Sequence, residues 1–89
     1  MKIKSGFITR KIGDKIVAVA VGERIKSFNG MITINETGEF IWKCLEKETD
    51  TDSIVEKIKK HYDVDENFAR EATIKFIDEL RKNNLLDEW

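Results

Sequence analysis

The stretch MITINETGEFIWKCL, residues 31–45, contains the point at which the chain changes from strand to helix. Residues 31–34 are mostly β-branched and carry no charge, which is typical of a short strand. Beyond them the spacing of apolar residues becomes helical, and Asn35 or Thr37 is the predicted N-cap. The apolar stripe of this first helix consists of Phe40, Ile41, Cys44 and Leu45.

Before this stretch the sequence predicts a β-hairpin. Residues 7–12 and 16–21 are rich in strand-forming residues, and Gly13-Asp14-Lys15 provides the turn between them. The third strand, residues 31–34, follows a second turn signal at Asn29-Gly30. We therefore expect a three-stranded antiparallel sheet.

After this stretch the apolar residues keep a helical spacing in two further segments. Thr51 or Asp52 is the predicted cap of a second helix, and Asp65 is the predicted cap of a longer third one. A connection of only three residues between them is typical of a helix-turn-helix pair. Leu85 and Leu86 are expected to fold back as a hydrophobic clamp. Three strands followed by three helices predict an α+β fold of the winged helix-turn-helix-like kind.

Size and composition narrow the possible functions. We expect the 89 residues to form one domain, 1–89, with strands at about 7–34 and helices at about 36–84. Such a small chain has little room for an enclosed active site. One cysteine excludes a disulfide framework and a cysteine-based zinc site. No apolar run reaches the length of a membrane span, so we expect a cytoplasmic protein that does not bind membranes.

Charge is distributed unevenly along the chain. Residues 1–35 carry seven Lys/Arg and two Asp/Glu, a balance of +5, whereas residues 36–89 carry nine and fifteen, a balance of −6. The total of −1 argues against a generally basic nucleic-acid binder. Such an asymmetry is typical of a domain with two surfaces for different partners.

The sequence predicts no catalytic residue, no metal site and no cofactor. His61 is the only histidine, and its predicted place is a helix end at the surface. Cys44 lies on the apolar stripe of the first helix and is expected in the core. The other candidate ligands are carboxylates at helix borders, where they cap free backbone N–H groups: Asp50, Asp52, Asp63 and Asp65. We therefore expect a binding protein.

Two elements are candidate binding surfaces. The uncharged third strand would accept a partner's strand if it lies at a sheet edge, although central pairing is the alternative. On the third helix, Arg70, Ile74 and Arg81 share one shoulder of the apolar stripe. The opposite shoulder is the alternative surface, and it carries Phe68, Ala72, Lys75 and Glu79.

The sequence resembles the PqqD-like family over almost its whole length. Residues 34–42, INETGEFIW, are similar to the family signature LNETGAxIW, and residues 62–65, YDVD, are similar to its turn. Residues 76–80, FIDEL, and the following Asn84-Leu85-Leu86 resemble its ending. The resemblance implies a non-catalytic adaptor that binds the leader segment of a ribosomally synthesised precursor peptide and presents it to a modifying enzyme, often a radical SAM enzyme.

In that family the leader is added as a strand to the third strand and lies against the third helix. Carried over by position, the edge is Met31, Ile32, Thr33 and Ile34, and the helix wall is Arg70, Ile74, Ile77 and Arg81. These residues would suit a leader with apolar and acidic side chains. A homodimer is compatible with this function.

The alternative from another class is a DNA-binding winged-helix regulator. The helix-turn-helix pair favours it, and Lys57, Lys59, Lys60 and Arg70 are candidate phosphate contacts. The negative balance of the helical half opposes it, because binding to DNA needs a basic surface that displaces counterions.

Overall fold

The computed structural model describes residues 1–26 and 30–88. The elements in chain order are β1 (Lys2–Ile3), β2 (Phe7–Ile12), β3 (Lys15–Ala20), a 3-10 helix (Gly22–Lys26), β4 (Met31–Ile34), α1 (Glu36–Leu45), α2 (Thr51–Tyr62), α3 (Glu66–Lys82) and β5 (Leu86–Asp87). The three-stranded sheet followed by three helices confirms the predicted α+β class.

The main sheet is antiparallel, in the order β2-β3-β4. Gly13 takes a positive φ of 63° in the β2–β3 turn, a backbone conformation that glycine adopts without steric cost. On its other side β3 pairs with β4, with Val17 opposite Thr33. Within residues 1–26 and 30–88, β4 has no second strand beside it, which confirms the edge position rather than the central one. Asn29 of the predicted turn lies outside the described residues.

A second, two-stranded sheet joins the two ends of the chain. Lys2 of β1 pairs with Asp87 of β5, and Ile3 pairs with Leu86. The sequence did not predict these strands, because two residues are too few to show an alternating pattern. The burial of Leu85 and Leu86 confirms that this segment folds back onto the core.

Each helix begins at a side chain that accepts a backbone N–H. Asn35 accepts from the Gly38 N–H at 2.7 Å, and Asp65 accepts from the Phe68 N–H at 2.8 Å, as the sequence predicts. For α2 the predicted caps, Thr51 and Asp52, are wrong. The cap is Asp50, whose carboxylate accepts from the Ser53 N–H at 2.7 Å while Thr51 is already helical. An N-cap needs extended backbone, and Asp50 is the residue that has it.

The core lies between the inner face of the sheet and the helices. The largest fully buried side chain is Trp42 of α1, flanked in sequence by Ile41 and near Leu45. Its indole N–H has no hydrogen-bond partner among the described residues, so packing alone holds the ring. The sheet contributes Ala18, Ile32 and Ile34 to the same cluster. This arrangement places α1 at the centre and leaves α3 beside the free edge of β4.

Candidate functional site

A groove of about 330 Å³ lies between β4 and α3. One wall is the end of β4 and the start of α1, and it consists of Thr33, Ile34, Asn35, Thr37, Gly38 and Ile41. The other wall belongs to α3 and consists of Phe68, Ala72, Lys75, Phe76 and Glu79. We call these five residues the groove shoulder of α3.

The groove shoulder combines a large apolar surface with room for a ligand. Phe68 is 54% exposed, which is unusual for a phenylalanine on a helix that packs against a core. Ala72 stands one turn further along and projects only a methyl group. Phe76 follows one turn later and is half-buried. Spacings of four residues put all three side chains on one face of the helix.

Gly38 fixes the width of the groove at its closed end. A Cβ atom at this position would lie 2.9 Å from Cε1 of Phe76 and 3.2 Å from Oδ1 of Asn35. Real Cβ atoms do not approach other atoms so closely, so any larger residue would displace the Phe76 ring. The glycine of the NETG stretch therefore permits the close approach of α1 and α3.

Two charges of opposite sign lie on the groove shoulder. Lys75 and Glu79 both line the groove, and neither side chain forms an ion pair with another described residue. They stand at i and i+4 with the lysine first, the less favourable order for a helical pair. Both charged groups therefore remain available to a ligand in the groove.

The opposite side of α3 has its charges paired. Arg70 donates to Oδ1 of Asp52 at 3.1 Å, and Arg81 donates to the two carboxylate oxygens of Glu88 at 2.7 and 2.9 Å. Arg81 also donates to Asp78 at 2.9 Å. The hydrogen bond from Arg81 lowers the pKa of the Glu88 carboxyl. We call Arg70, Ile74 and Arg81 the paired shoulder.

The residues predicted for peptide contact are only partly brought together. Thr33 and Ile34 line the groove, Met31 is exposed at the start of β4, and Ile32 is buried with its side chain in the core cluster. Ile77 also lies in the core, at 3% exposure.

The paired shoulder does not line the groove. The groove is therefore formed by the predicted strand and by the groove shoulder, which was the alternative surface predicted for α3. Contact of any of the eight predicted residues with a peptide stays a prediction. Sequence reasoning missed Phe76 on α3, because its helical spacing is that of a core residue. It also missed the groove residues at the start of α1, which are Asn35, Thr37, Gly38 and Ile41.

Cys44 is partly buried, whereas His61 is exposed. Burial raises the pKa of the Cys44 thiol, so that the neutral and less reactive form is favoured. His61 is exposed at the end of α2 and stacks on Phe40 with 4.6 Å between ring centroids. Across residues 1–26 and 30–88, no cluster of three or more His, Cys, Asp or Glu could hold a metal ion. No helix in the same part of the chain is long and apolar enough to cross a membrane.

Comparisons with known proteins give one family and one fold. The sequence model described as coenzyme PQQ synthesis protein D (PqqD) matches residues 16–86. A solved structure of TbiB1 in complex with the TbiA(beta) leader peptide has the same fold, with a TM-score of 0.75 at 24% sequence identity. The match covers 100% of this chain and 98% of TbiB1. No curated protein matches the sequence.

Proposed function

Because this chain belongs to the PqqD family, we propose that it binds the leader segment of a ribosomally synthesised precursor peptide and presents it to a modifying enzyme, without catalysing a reaction itself. The observation that carries the proposal is the edge of β4, which pairs with no other strand in the described part of the chain and lies directly beside the groove. The leader peptide bound to TbiB1, a protein of the same fold, supports it.

Strand addition explains why an edge and a groove lie side by side. The free N–H and C=O groups of β4 would hydrogen-bond to an extended peptide whatever its sequence. Side chains alternate along such a peptide, so every second one would point toward α3. The edge then provides affinity, and the groove shoulder selects the side chains.

The groove shoulder favours a particular kind of leader. Phe68 and Phe76 on either side of Ala72 form a site for one large apolar side chain. Lys75 would pair with a carboxylate of the leader, and Glu79 with a lysine or arginine. We therefore propose a leader with an apolar anchor close to an acidic residue.

The finer predictions about partners belong to the same proposal. A radical SAM enzyme is the proposed kind of modifying enzyme, on the strength of the family resemblance, and a homodimer is compatible with it. The cytoplasm stays the predicted compartment because the chain has a single cysteine.

The DNA-binding alternative is disfavoured by the charges of α3. This helix would be the one that enters the major groove. It carries four Lys/Arg and four Asp/Glu, so its net charge is zero. Arg70 and Arg81 are already bound to carboxylates, which leaves few cations for phosphates.

The direct test first identifies a precursor peptide encoded near the gene of this chain, and then titrates the ¹⁵N-labelled protein with its synthetic leader and follows the NMR spectrum. We expect saturable shifts of the amides of β4 and of the groove shoulder. A scrambled leader of the same composition is the control and should give small, unsaturable shifts. Shifts confined to other parts of the chain, or no binding, would contradict the proposal.

A further inference from the structure

The three-stranded sheet has an outer face that points away from the core. Pairing partners in antiparallel strands project to the same side, so the register identifies the residues on each face. Ala18 and its partner Ile32 lie in the core cluster, which makes theirs the inner face. Residues that are adjacent in sequence to these inner-face residues therefore point outward. They are Ile8, Arg10, Ile12, Lys15, Val17, Val19, Met31 and Thr33.

This outer face carries a continuous apolar row. Ile8 pairs with Val19, and Val19 pairs with Met31, so that the row crosses all three strands. Ile8 is 39% exposed and Met31 is 60% exposed. Ile12, the second outward-pointing residue after Ile8 on β2, is 50% exposed. Single exposed apolar residues are common, but a contiguous patch of this kind is typical of a contact surface.

Val17 is the most buried residue of the outer face. It sits between Arg10 and Thr33, yet it is only 3% exposed. Among the described residues it is not part of the core cluster that the helices cover.

The charges of the outer face are all positive. Arg10 and Lys15 are exposed, and no carboxylate is among the eight outward-pointing residues. Neither cation forms an ion pair with another described residue. A two-fold dimer through this face would bring together two surfaces whose only charges are positive, so charge disfavours a second copy of the chain here.

We propose that the outer face of the sheet is a second docking surface, which binds an apolar surface bordered by carboxylates on the modifying enzyme. This inference rests on the proposed function, since an adaptor needs one surface for the peptide and another for the enzyme. The groove lies between β4 and α3, whereas the apolar row begins on β2 at the far edge of the sheet. The row reaches β4 only at Met31, so we expect peptide and enzyme to bind at the same time. The basic half of the chain, residues 1–35, thus provides the surface that binds the enzyme.

The test first identifies a candidate modifying enzyme encoded near the gene of this chain. The purified enzyme is then immobilised for biolayer interferometry with the intact protein in solution. Ile8→Asp adds a negative charge to the apolar row, and Arg10→Glu reverses a charge of the face. Ile25→Asp is the matched control, because Ile25 is 56% exposed but belongs to the 3-10 helix. Circular dichroism verifies that each variant is folded, and Ile12→Asp replaces Ile8→Asp if that variant is not.

We expect Ile8→Asp and Arg10→Glu each to weaken enzyme binding by about tenfold or more, and Ile25→Asp to leave it unchanged. Binding of the wild type should also weaken as the salt concentration rises. The leader affinity of both outer-face variants should equal that of the wild type, which separates this inference from the proposed function.

Three results would overturn the inference. The first is a wild-type protein that binds the leader but not the enzyme. The second is enzyme binding by the folded outer-face variants that equals that of the wild type. The third is a dimer in sedimentation velocity that Ile8→Asp dissociates. Failure of leader binding alone would instead count against the proposed function.

Discussion

Both shoulders of α3 carry charged and apolar side chains, but the charged groups are ion-paired on only one of them. On the paired shoulder Arg70 and Arg81 are both bound to carboxylates of this chain. On the groove shoulder Lys75 and Glu79 have no ion pair with another described residue, and Phe68 is more than half exposed. Each exposed ion pair contributes only about 0–1 kcal/mol to stability. The difference therefore concerns binding more than folding: one side is already neutralised, and the other remains ready for a ligand.

The largest expected difference between the shoulders is in leader affinity. Ala72→Glu would fill the groove between Phe68 and Phe76, whereas Ile74→Glu would introduce the same residue on the paired shoulder. We expect the first variant to bind the leader about 100-fold more weakly, which is about 2.7 kcal/mol, and the second to bind it almost normally. Fluorescence anisotropy with a labelled leader measures both. A greater loss of leader affinity in Ile74→Glu would indicate that the leader binds to the paired shoulder, as predicted from the sequence.

The next largest effect concerns the closed end of the groove. Gly38→Ala forces the Phe76 ring to move, so we expect the free energy of unfolding to fall by about 1–3 kcal/mol. Gly30→Ala is the control, because a Cβ atom there meets no atom of residues 1–26 or 30–88 within 4 Å. Urea unfolding compares the two variants. Equal stability of both would mean that α1 and α3 adjust to the extra methyl group without cost.

Removing one cation from each shoulder should separate binding from stability. Lys75→Gln should weaken the binding of a leader that carries a carboxylate at this point, by several-fold, with little change in stability. Arg70→Gln breaks the pair with Asp52 and should lower stability by less than about 1 kcal/mol with little change in leader affinity. Calorimetric titration and urea unfolding measure the two quantities. The reverse pattern would show that Arg70, not Lys75, faces the peptide.

The smallest expected effect is a pH dependence on the paired shoulder. The hydrogen bond from Arg81 lowers the pKa of Glu88 in the folded protein, so the folded state favours the carboxylate. Its contribution to stability is complete above the usual pKa of a glutamate and disappears as the pH falls through the lowered value. Glu88→Gln should therefore reduce the loss of stability between about pH 7 and about pH 3. An unchanged slope in urea unfolding at the two pH values would mean that the pair is not maintained in solution.

The local pattern of the sequence was sufficient for most of the fold. Asp65 was identifiable as a cap because a short polar side chain precedes a helical stripe there, whereas the α1 cap stayed open between Asn35 and Thr37. The α2 cap was misplaced because Asp50, Thr51 and Asp52 are all suitable cap residues, and only the backbone conformation distinguishes them. The strands β1 and β5 were missed because they form through a contact between the two ends of the chain.

The candidate site was predictable on its strand side and ambiguous on its helix side. An uncharged run before Asn35 indicated β4 as a possible edge, and the sheet order confirmed that position. Helical spacing gave both shoulders of α3 but not their orientation. The rotation of α3 is fixed by Ala69, Thr73, Ile77 and Leu80, which are buried against the other elements.

By itself, the sequence of this chain determined the three strands of the main sheet, the three helices, the Asp65 cap of α3 and the resemblance to its family, because these depend on neighbours close along the chain. Only the tertiary structure decided which shoulder of α3 faces β4 and which charges lack partners. It also decided that Gly38 meets Phe76 and that Ile8, Val19 and Met31 form one row. These features depend on packing between distant segments, and a helix or strand pattern has the same period whichever neighbour it faces.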